Sequence, residues 1–311
     1  MYIHKPVLLD EVMAALGDRK EELVFVDATL GEGGHAEAFL SANPRLILLG
    51  IERDESILER ARGRLEGFGR RVRLFRMDFY EFFRSFKELV DREPQRIFFD
   101  LGVSMFHYQI SGRGFSFRRP EPLDMRLDIE KGTTAAQLIA TSSEEELTDL
   151  IRRYGEERYA ARIGAAIVQE RGRREIEDSR ALAEIIFRSV PPPYRHGRIH
   201  PATRTFQALR IAVNKELELL EAVLPIAFDR LSTGGRMGVI SFHSLEDRMV
   251  KRFFQERNKS CTCPPESPIC QCGGRRQARL LTRKPVMATE AEIHRNPASR
   301  SARLRVLEKI A

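Results

Sequence analysis

The chain lacks the features that mark a membrane or secreted protein. Its 311 residues contain no apolar run close to the ~18 residues that a membrane span needs. The opening residues, MYIHKPVLLDEV, lack a charged segment followed by an apolar one, so we expect no secretory signal. The four cysteines all lie between 261 and 272, whereas a disulfide framework would spread them along the chain. These absences predict a cytoplasmic protein with no membrane partner.

The cysteines form two close pairs, Cys261-x-Cys263 and Cys270-x-Cys272, in a segment rich in proline and glycine. Two such pairs suit a zinc ion, although C-x-C is not the common C-x₂-C spacing. Paired disulfides and four free thiols are the alternatives to a zinc site at these cysteines. Since no catalytic argument needs a metal, we assign none.

Charge is distributed unevenly. Hydrophobic residues make up 42% and charged residues 31%, which is typical of a soluble globular protein. The net charge is +7, and residues 273–311 alone carry ten Lys or Arg against three Asp or Glu. A local basic excess is typical of a protein that binds a polyanion, but a solvated tail has the same composition. Charge alone leaves both interpretations open.

Apolar periodicity predicts alternating strands and helices over the first hundred residues. Residues 113–126 have no period and predict a loop, whereas 135–190 predict helices that end at the prolines of 191–193. One long helix over 206–220 follows, with a strand at 237–242 and a helix that Ser244 and Asp247 cap. The last predicted strand is 304–307. Strand–helix alternation implies a parallel sheet, so the chain is an α/β domain with a helical insertion.

A glycine-rich turn, DATLGEGGHA at 27–36, follows the first predicted strand. Gly31, Gly33 and Ala36 fit the loose dinucleotide pattern G-x-G-x-x-G/A, which by itself is also typical of any tight strand-to-helix turn. Glu52 ends the second strand, nineteen residues after Gly33, where a carboxylate can accept hydrogen bonds from ribose hydroxyls. Together these two features predict a nucleoside site.

Four acids, Asp27, Glu52, Asp78 and Asp100, stand at the ends of four predicted strands. Ligands of open parallel sheets bind at this edge. Negative charge at Asp27 repels a pyrophosphate but attracts an ammonium and a sulfonium group, which favours S-adenosylmethionine over NAD. Phe79 offers an aromatic face for adenine, or it belongs to the core.

RNA contacts are predicted in the loop that interleaves cations with rings. Rings stack on unpaired bases and arginines neutralise phosphates, but the same phenylalanines could pack into the core. The residues are Arg113, Phe115, Phe117, Arg118, Arg119 and Arg126. A basic helix face is predicted at His200, Arg204 and Arg210.

The whole chain resembles the RsmH/MraW methyltransferases of bacteria. The matching segments span nearly the full length, and several are long and peculiar to that family. They are HKPVLLDEV at 4–12, DATLGEGGHA at 27–36, IERD at 51–54, DLGVS at 100–104, RGFSF at 113–117, PLDMRLD at 122–128, HPATRTFQALRIAVN at 200–214, GGRMGVISFHSLEDRMVKRFF at 234–254 and NPASRSARLRV at 296–306.

The resemblance implies a class I, Rossmann-like S-adenosylmethionine-dependent methyltransferase core with an all-helical insertion domain. It implies methylation of the exocyclic N4 of a cytidine in the decoding-centre (P-site) region of 16S rRNA, within the small ribosomal subunit. We place the core at 1–112 and 200–311, and the insertion, an RNA-recognition domain, at 113–199. The implied cofactor contacts are Gly33, Gly34, His35, Glu52, Phe79, Asp100 and His107.

His107 is the main departure from the family pattern, because Met105-Phe106-His107 replaces the usual Ser-Pro-Gln after DLGVS. His107 stands where the family's Gln contacts the cofactor. We expect Asp100 to be the catalytic residue, accepting an N–H proton of the target amine. The alternatives are an NAD-dependent oxidoreductase and a non-catalytic RNA-binding assembly factor. Oligomeric state, and the choice between free rRNA and an assembled subunit as substrate, are left open.

Overall fold

A computed structural model describes residues 5–17, 22–176, 178–261, 263 and 274–311. The described strands form one eight-stranded sheet in the order β3-β2-β1-β4-β5-β8-β6, with β7 also paired to β8. Strands β1 to β5 are parallel to one another, whereas β8 runs antiparallel to β5, β6 and β7. The strands are β1 Leu23–Asp27, β2 Leu46–Glu52, β3 Val72–Arg76, β4 Arg96–Asp100, β5 Arg236–Ser241, β6 Ala278–Leu280, β7 Val286–Met287 and β8 Arg303–Lys309.

Fifteen α-helices are assigned within the described ranges. They are α1 Leu9–Leu16, α2 Gly34–Ala42, α3 Glu55–Leu65, α4 Phe79–Arg84, α5 Phe86–Leu89, α6 Met105–Gln109, α7 Ala135–Thr141, α8 Glu144–Gly155, α9 Ala160–Arg171, α10 Ser179–Ser189, α11 Pro192–Arg195, α12 Ala202–Asn214, α13 Glu216–Arg230, α14 Ser244–Asn258 and α15 Glu290–Arg295. None of these helices is long and apolar enough to span a bilayer.

Contacts divide the chain into two compact units. The first, Met1–Val103 with Glu218–Ala311, contains the sheet, and the second, Ser104–Leu217, contains α6 to α12. The second unit therefore begins before residue 113 and ends after residue 199, the bounds expected from the sequence. Helix α12 extends it, because α12 packs on α8 and α7. All helices of this unit lie within one continuous run of the chain.

The core of the first unit lies on both faces of the sheet. Successive side chains of a strand point to opposite faces, and in β1 Val24 and Val26 join one apolar cluster whereas Leu23 and Phe25 join the other. Every residue of β1 is buried, as expected for a parallel sheet covered by helices on both sides. This is why the central strands are short apolar runs in the sequence.

The single long helix predicted over 206–220 is wrong. Helix α12 ends at Asn214, Lys215 takes a left-handed conformation with φ 51°, and α13 begins at Glu216. The Asn214 side chain donates to the Met125 carbonyl at 2.7 Å and accepts from the Leu127 N–H at 2.9 Å. A continuous apolar stripe cannot reveal such a break, because the stripe continues across Lys215.

The cap of α14 also differs from the predicted Ser244–Asp247 box. His243 is the N-cap residue and forms a reciprocal capping box with Glu246. Asp247 instead pairs with Arg305 of β8, with Nε to Oδ1 at 2.7 Å and Nη2 to Oδ2 at 3.1 Å. The basic C-terminal segment is therefore not a solvated tail: part of its charge ties β8 to α14.

Removing Arg305 should destabilise the first unit strongly. Arg305 and Asp247 are 7% and 8% exposed, so Arg305→Leu leaves a largely buried carboxylate with only the Arg303 contact at 3.3 Å. We expect a loss of about 3 kcal/mol in the free energy of unfolding, measured by urea denaturation. The control Arg279→Leu removes an exposed arginine from Glu308, which keeps its contact with Arg236, so it should cost at most about 1 kcal/mol. Equal losses in the two variants would contradict this account.

Candidate active site

Three acids lie together at the carboxyl edge of the sheet. Asp27 ends β1, Glu52 ends β2 and Asp100 ends β4. Strand β1 lies between β2 and β4 in the sheet and all three are parallel, so the acids occupy neighbouring positions on one edge. This is the edge at which open α/β sheets bind ligands.

Asp27 is the most deeply buried of the three, at 1% exposure. Its Oδ1 accepts a hydrogen bond from the Thr29 N–H at 3.3 Å. Burial raises the pKa of Asp27 to about 7; the Thr29 bond opposes this and the charge of Glu52 adds to it. At neutral pH this carboxyl is poised between its two charge states, and a bound cation would favour the ionised one.

Glu52 holds the glycine turn in place. Its Oε2 accepts from the Gly31 N–H at 3.1 Å and its Oε1 accepts from the Asp54 N–H at 2.9 Å. Desolvation raises the pKa of Glu52 to about 7 despite these hydrogen bonds. Each oxygen of a carboxylate has a further lone pair, so Glu52 can still accept hydrogen bonds from a ligand.

Asp100 combines partial burial with an unsatisfied oxygen. Its side chain is 12% exposed, and its Oδ1 is buried with no hydrogen-bond partner among the described residues. Desolvation, then the charges of Asp27 and Glu246, raise the pKa of Asp100 well above its usual range. Its backbone N–H donates to Thr29 Oγ1 at 2.6 Å, which links β4 to the turn after β1. A buried oxygen without a partner is rare in folded proteins and points to a ligand.

His35 lies beside Asp100 and is 6% exposed. Its Nε2 is 2.9 Å from the Val7 carbonyl, and since a carbonyl only accepts, Nε2 carries the proton. Its Nδ1 faces Asp100 Oδ2 at 3.6 Å, and its ring packs edge-on against Phe98 at 4.9 Å. A neutral imidazole with its proton on Nε2 has no donor at Nδ1 to offer the Asp100 carboxylate, and we expect any ligand contact at residue 35 to involve its backbone.

Glu246 is a site residue that sequence reasoning missed. It is 2% exposed, and its Oε2 accepts from the N–H groups of Phe242 at 2.9 Å and His243 at 3.3 Å. Its charge contributes to the raised pKa of Asp100. The sequence pattern assigns the cap of this helix to Ser244 and Asp247 and no role to Glu246. Its position five residues beyond β5, the neighbour of β4, was the available signal.

Gly33 and Gly34 begin α2, and packing explains why each is glycine. Gly33 has φ 79°, and a Cβ there would lie 3.3 Å from Leu65 Cδ1. A Cβ at Gly34 would lie 2.6 Å from Pro6 Cγ. A tight turn with close packing accounts for both glycines, and it leaves their backbone as the part able to contact a ligand.

The remaining predicted site residues are placed differently. Phe79 is half-buried at the start of α4, with its ring edge-on to Phe99 at 5.7 Å. Asp78 caps the same helix by accepting from the Glu81 N–H at 2.8 Å. His107 belongs to the second unit, where it is 3% exposed and its ring packs on Phe115 at 5.0 Å.

The interpretation of the arginine–phenylalanine loop as one RNA surface is wrong in part. Phe115 is 4% exposed, and Arg113 donates to the carbonyls of Arg126 and Leu127 at 3.3 and 3.2 Å. Arg126 pairs with Asp124 at 2.8 Å. Arg210, expected on a basic face, is 9% exposed and binds Glu216 through two hydrogen bonds of 2.9 Å. These side chains build the second unit, because guanidinium groups satisfy buried carbonyls and carboxylates.

The cysteine segment lies largely outside the described residues, which include Cys261 and Cys263 but neither Cys270 nor Cys272. Cys261 is exposed, and its Sγ accepts from the Cys263 N–H at 3.4 Å. The possibility of zinc at these four residues stays untested.

A glycine turn after β1, an acid after β2 and an open carboxyl edge together define a Rossmann-like, nucleoside-binding α/β enzyme. Residues 1–310 match the sequence profile of the MraW methylase family. The chain belongs to the MraW methylase family. It is a methyltransferase, and S-adenosylmethionine is its cofactor.

Two bacterial proteins illustrate the likeness within the family. The ribosomal RNA small subunit methyltransferase H of Treponema denticola is 52% identical over 309 residues, covering 99% of this chain and 98% of that protein. The protein of the same name from Syntrophobacter fumaroxidans is 48% identical, covering 98% and 96%. Among solved structures, an rRNA methylase from Streptococcus thermophilus aligns over the full length of both chains at 12% identity, with a TM-score of 0.38, too weak a likeness to argue from.

The raised carboxyl pKa values predict that cofactor binding depends on pH. The sulfonium and ammonium groups of the cofactor favour ionised carboxylates, so binding should release protons from Asp27, Glu52 or Asp100. A carboxyl group with a pKa of about 7, such as Asp27, is mostly protonated at pH 6 and must lose its proton when the cofactor binds. At pH 8 the same group has mostly lost its proton already. The dissociation constant of the cofactor should therefore be about tenfold larger at pH 6 than at pH 8.

Isothermal titration in two buffers of different ionisation enthalpy checks both the affinity and the proton release. Asp27→Asn should reduce the number of protons released, whereas Asp91→Asn, an exposed acid after α5, should leave it unchanged. Proton uptake on binding, or equal affinity at both pH values, would contradict the electrostatic description of the site.

Proposed function

We propose that this enzyme transfers a methyl group from S-adenosylmethionine to the exocyclic N4 of a cytidine in the decoding-centre (P-site) region of 16S rRNA. The observation that carries the proposal is the buried Asp100 Oδ1, which has no hydrogen-bond partner among the described residues, at the acid-lined edge of a methylase-family fold. The relatives named ribosomal RNA small subunit methyltransferase H support the substrate class.

The residues at the edge fit the cofactor. When bound, S-adenosylmethionine supplies an electrophilic methyl group on a positively charged sulfonium. Glu52 has lone pairs to accept from ribose hydroxyls, and the carboxyls of Asp27 and Asp100 favour a cationic ligand. The backbone of Gly33, Gly34 and His35 at the start of α2 offers further contacts, and Phe79 offers an aromatic face.

Asp100 is the proposed catalytic residue. The lone pair of a cytosine N4 is delocalised into the ring, which makes the amine a poor nucleophile. A carboxylate that accepts an N–H hydrogen bond localises that pair and takes up the proton released as the methyl group is transferred. Asp100 Oδ1 has no hydrogen-bond partner in the part of the chain that the structure describes, so it is available for this bond. Alignment of the amine contributes the remaining acceleration.

The second unit, Ser104–Leu217, is the proposed RNA-recognition part of the enzyme. The substrate is proposed to be 16S rRNA in the context of the small ribosomal subunit. A target base in RNA must leave its stack before it can react, so contacts with the neighbouring nucleotides are needed to offset that cost. We include a cytoplasmic location in the proposal, supported by the clustering of all four cysteines in one short segment.

The direct test incubates the purified protein and S-adenosylmethionine with small ribosomal subunits from cells that lack the modification. Nucleosides from the recovered RNA are then analysed by mass spectrometry. We expect new N4-methylcytidine at one position. Methylation of another atom or base would refute the N4 assignment. Cofactor binding with no product on either subunits or free 16S rRNA would refute the substrate.

Asp100→Asn tests the catalytic role without changing the size of the side chain. Because the amide cannot take up the proton, we expect kcat to fall by about two to four orders of magnitude. Cofactor affinity should be measured separately by titration, since Asp100 also contributes to binding. Asp78→Asn, at another strand end where the carboxyl caps α4, should retain near wild-type kcat. An Asp100→Asn enzyme that binds cofactor and keeps the wild-type rate would exclude the acceptor role.

A further inference from the structure

Three rings stack in the second unit where two sequence motifs meet. Phe117, from the RGFSF motif, lies 4.7 Å from His200, from the HPATR motif, with an interplanar angle of 30°. His200 is in turn 5.8 Å from Phe187, with an angle of 20°. His200 is exposed and the two phenylalanines are half-buried, so these three residues form a partly open aromatic ledge.

The ledge is held in a fixed geometry. His200 Nδ1 accepts from the Ala202 N–H at 3.2 Å, which sets the plane of the imidazole at the start of α12. Phe117 also packs edge-on against the buried Phe206 of α12 at 5.0 Å. Partial desolvation lowers the pKa of His200, which favours the neutral form of the ring. A ring fixed in this way loses little conformational freedom when another planar group stacks on it.

Positive charge surrounds the ledge. Residues 185–215 contain six Lys or Arg and no Asp or Glu, although Arg188 and Arg210 pair with Glu184 and Glu216 just outside this range. Arg195 lies over the Phe187 ring at 5.5 Å, and Arg198 is exposed two residues before His200. Arg118 and Arg119, which follow Phe117 directly, are exposed and form no ion pair within the described part of the chain. Such a field attracts a polyanion.

We propose that the ledge of Phe117, Phe187 and His200 stacks an unpaired base of the RNA substrate, while Arg118 and Arg119 contact the adjoining phosphates. Stacked rings beside a row of cations suit single-stranded nucleic acid, because every base has a π-face and every nucleotide a phosphate. Duplex RNA hides its base faces and is not expected to bind there. This inference rests on the proposed RNA methylation and names the surface that recognises the RNA.

Substitutions at His200 separate stacking from a structural role. His200→Phe keeps a ring but loses the acceptor for the Ala202 N–H, whereas His200→Asn keeps an acceptor but loses the ring. The probe is a fluorescently labelled single-stranded 16S RNA fragment that contains the target cytidine, titrated with the full-length protein. We expect His200→Asn to weaken binding about tenfold and His200→Phe to bind within about twofold of the wild type.

The arginines are tested through the salt dependence of the same binding. Arg118→Gln with Arg119→Gln should lower the slope of log K against log salt by about 1.4, because two phosphate contacts on a single strand are lost. The matched control is Arg152→Gln, an exposed arginine of the same unit that pairs with Asp149 at 2.7 Å, and it should leave the slope unchanged.

Methylation of small subunits by the wild-type protein is measured in parallel. If the wild type methylates them and His200→Asn binds the RNA fragment as tightly as wild type, the ledge is not a base-stacking surface. The same conclusion follows if His200→Phe is as weak as His200→Asn. If the wild type binds the fragment but methylates nothing, the result counts against the proposed function. The binding of the His200 variants then still tests whether the ledge stacks a base.

Discussion

The desolvation of several carboxyl groups at one edge of the sheet is the constraint on which the site depends. Asp27, Glu52 and Asp100 end neighbouring parallel strands, and Glu246 approaches the same region from α14. Burying like charges together is unfavourable unless protons or a cation compensate them. The buried carboxyl groups therefore destabilise this edge of the folded protein, and a cationic ligand reduces that destabilisation. The stability of the edge is in this way linked to cofactor binding.

Backbone donors and small residues arrange this edge. Glu52 fixes the glycine turn through the Gly31 N–H, and the Asp100 N–H donates to Thr29, so β1, β2 and β4 are connected across their ends. His35, in the first turn of α2, lies beside Asp100, with its Nδ1 3.6 Å from Asp100 Oδ2. The acids are consequently held in position before any ligand arrives, which is the condition under which electrostatic stabilisation is most effective.

Much of this arrangement could be predicted from the sequence, because short apolar runs ending in an acid identify buried parallel strands and their carboxyl ends. The helix break at Lys215 could not be predicted from the sequence, since it depends on hydrogen bonds between Asn214 and a loop distant in sequence. Composition also failed to predict that Phe115 and Arg113 turn toward the protein rather than toward RNA, because it does not tell which side chains of a loop point inward. Glu246 was missed because its proximity to Asp100 depends on β5 pairing with β4.

The most direct test of the account is calorimetric titration of the purified protein with S-adenosylmethionine and, separately, with NAD. The acid-lined edge predicts binding of S-adenosylmethionine, no measurable binding of NAD, and clearly weaker binding of S-adenosylmethionine by Glu52→Gln. Comparable or tighter binding of NAD, or unchanged affinity in Glu52→Gln, would contradict the claim that this edge is the cofactor site.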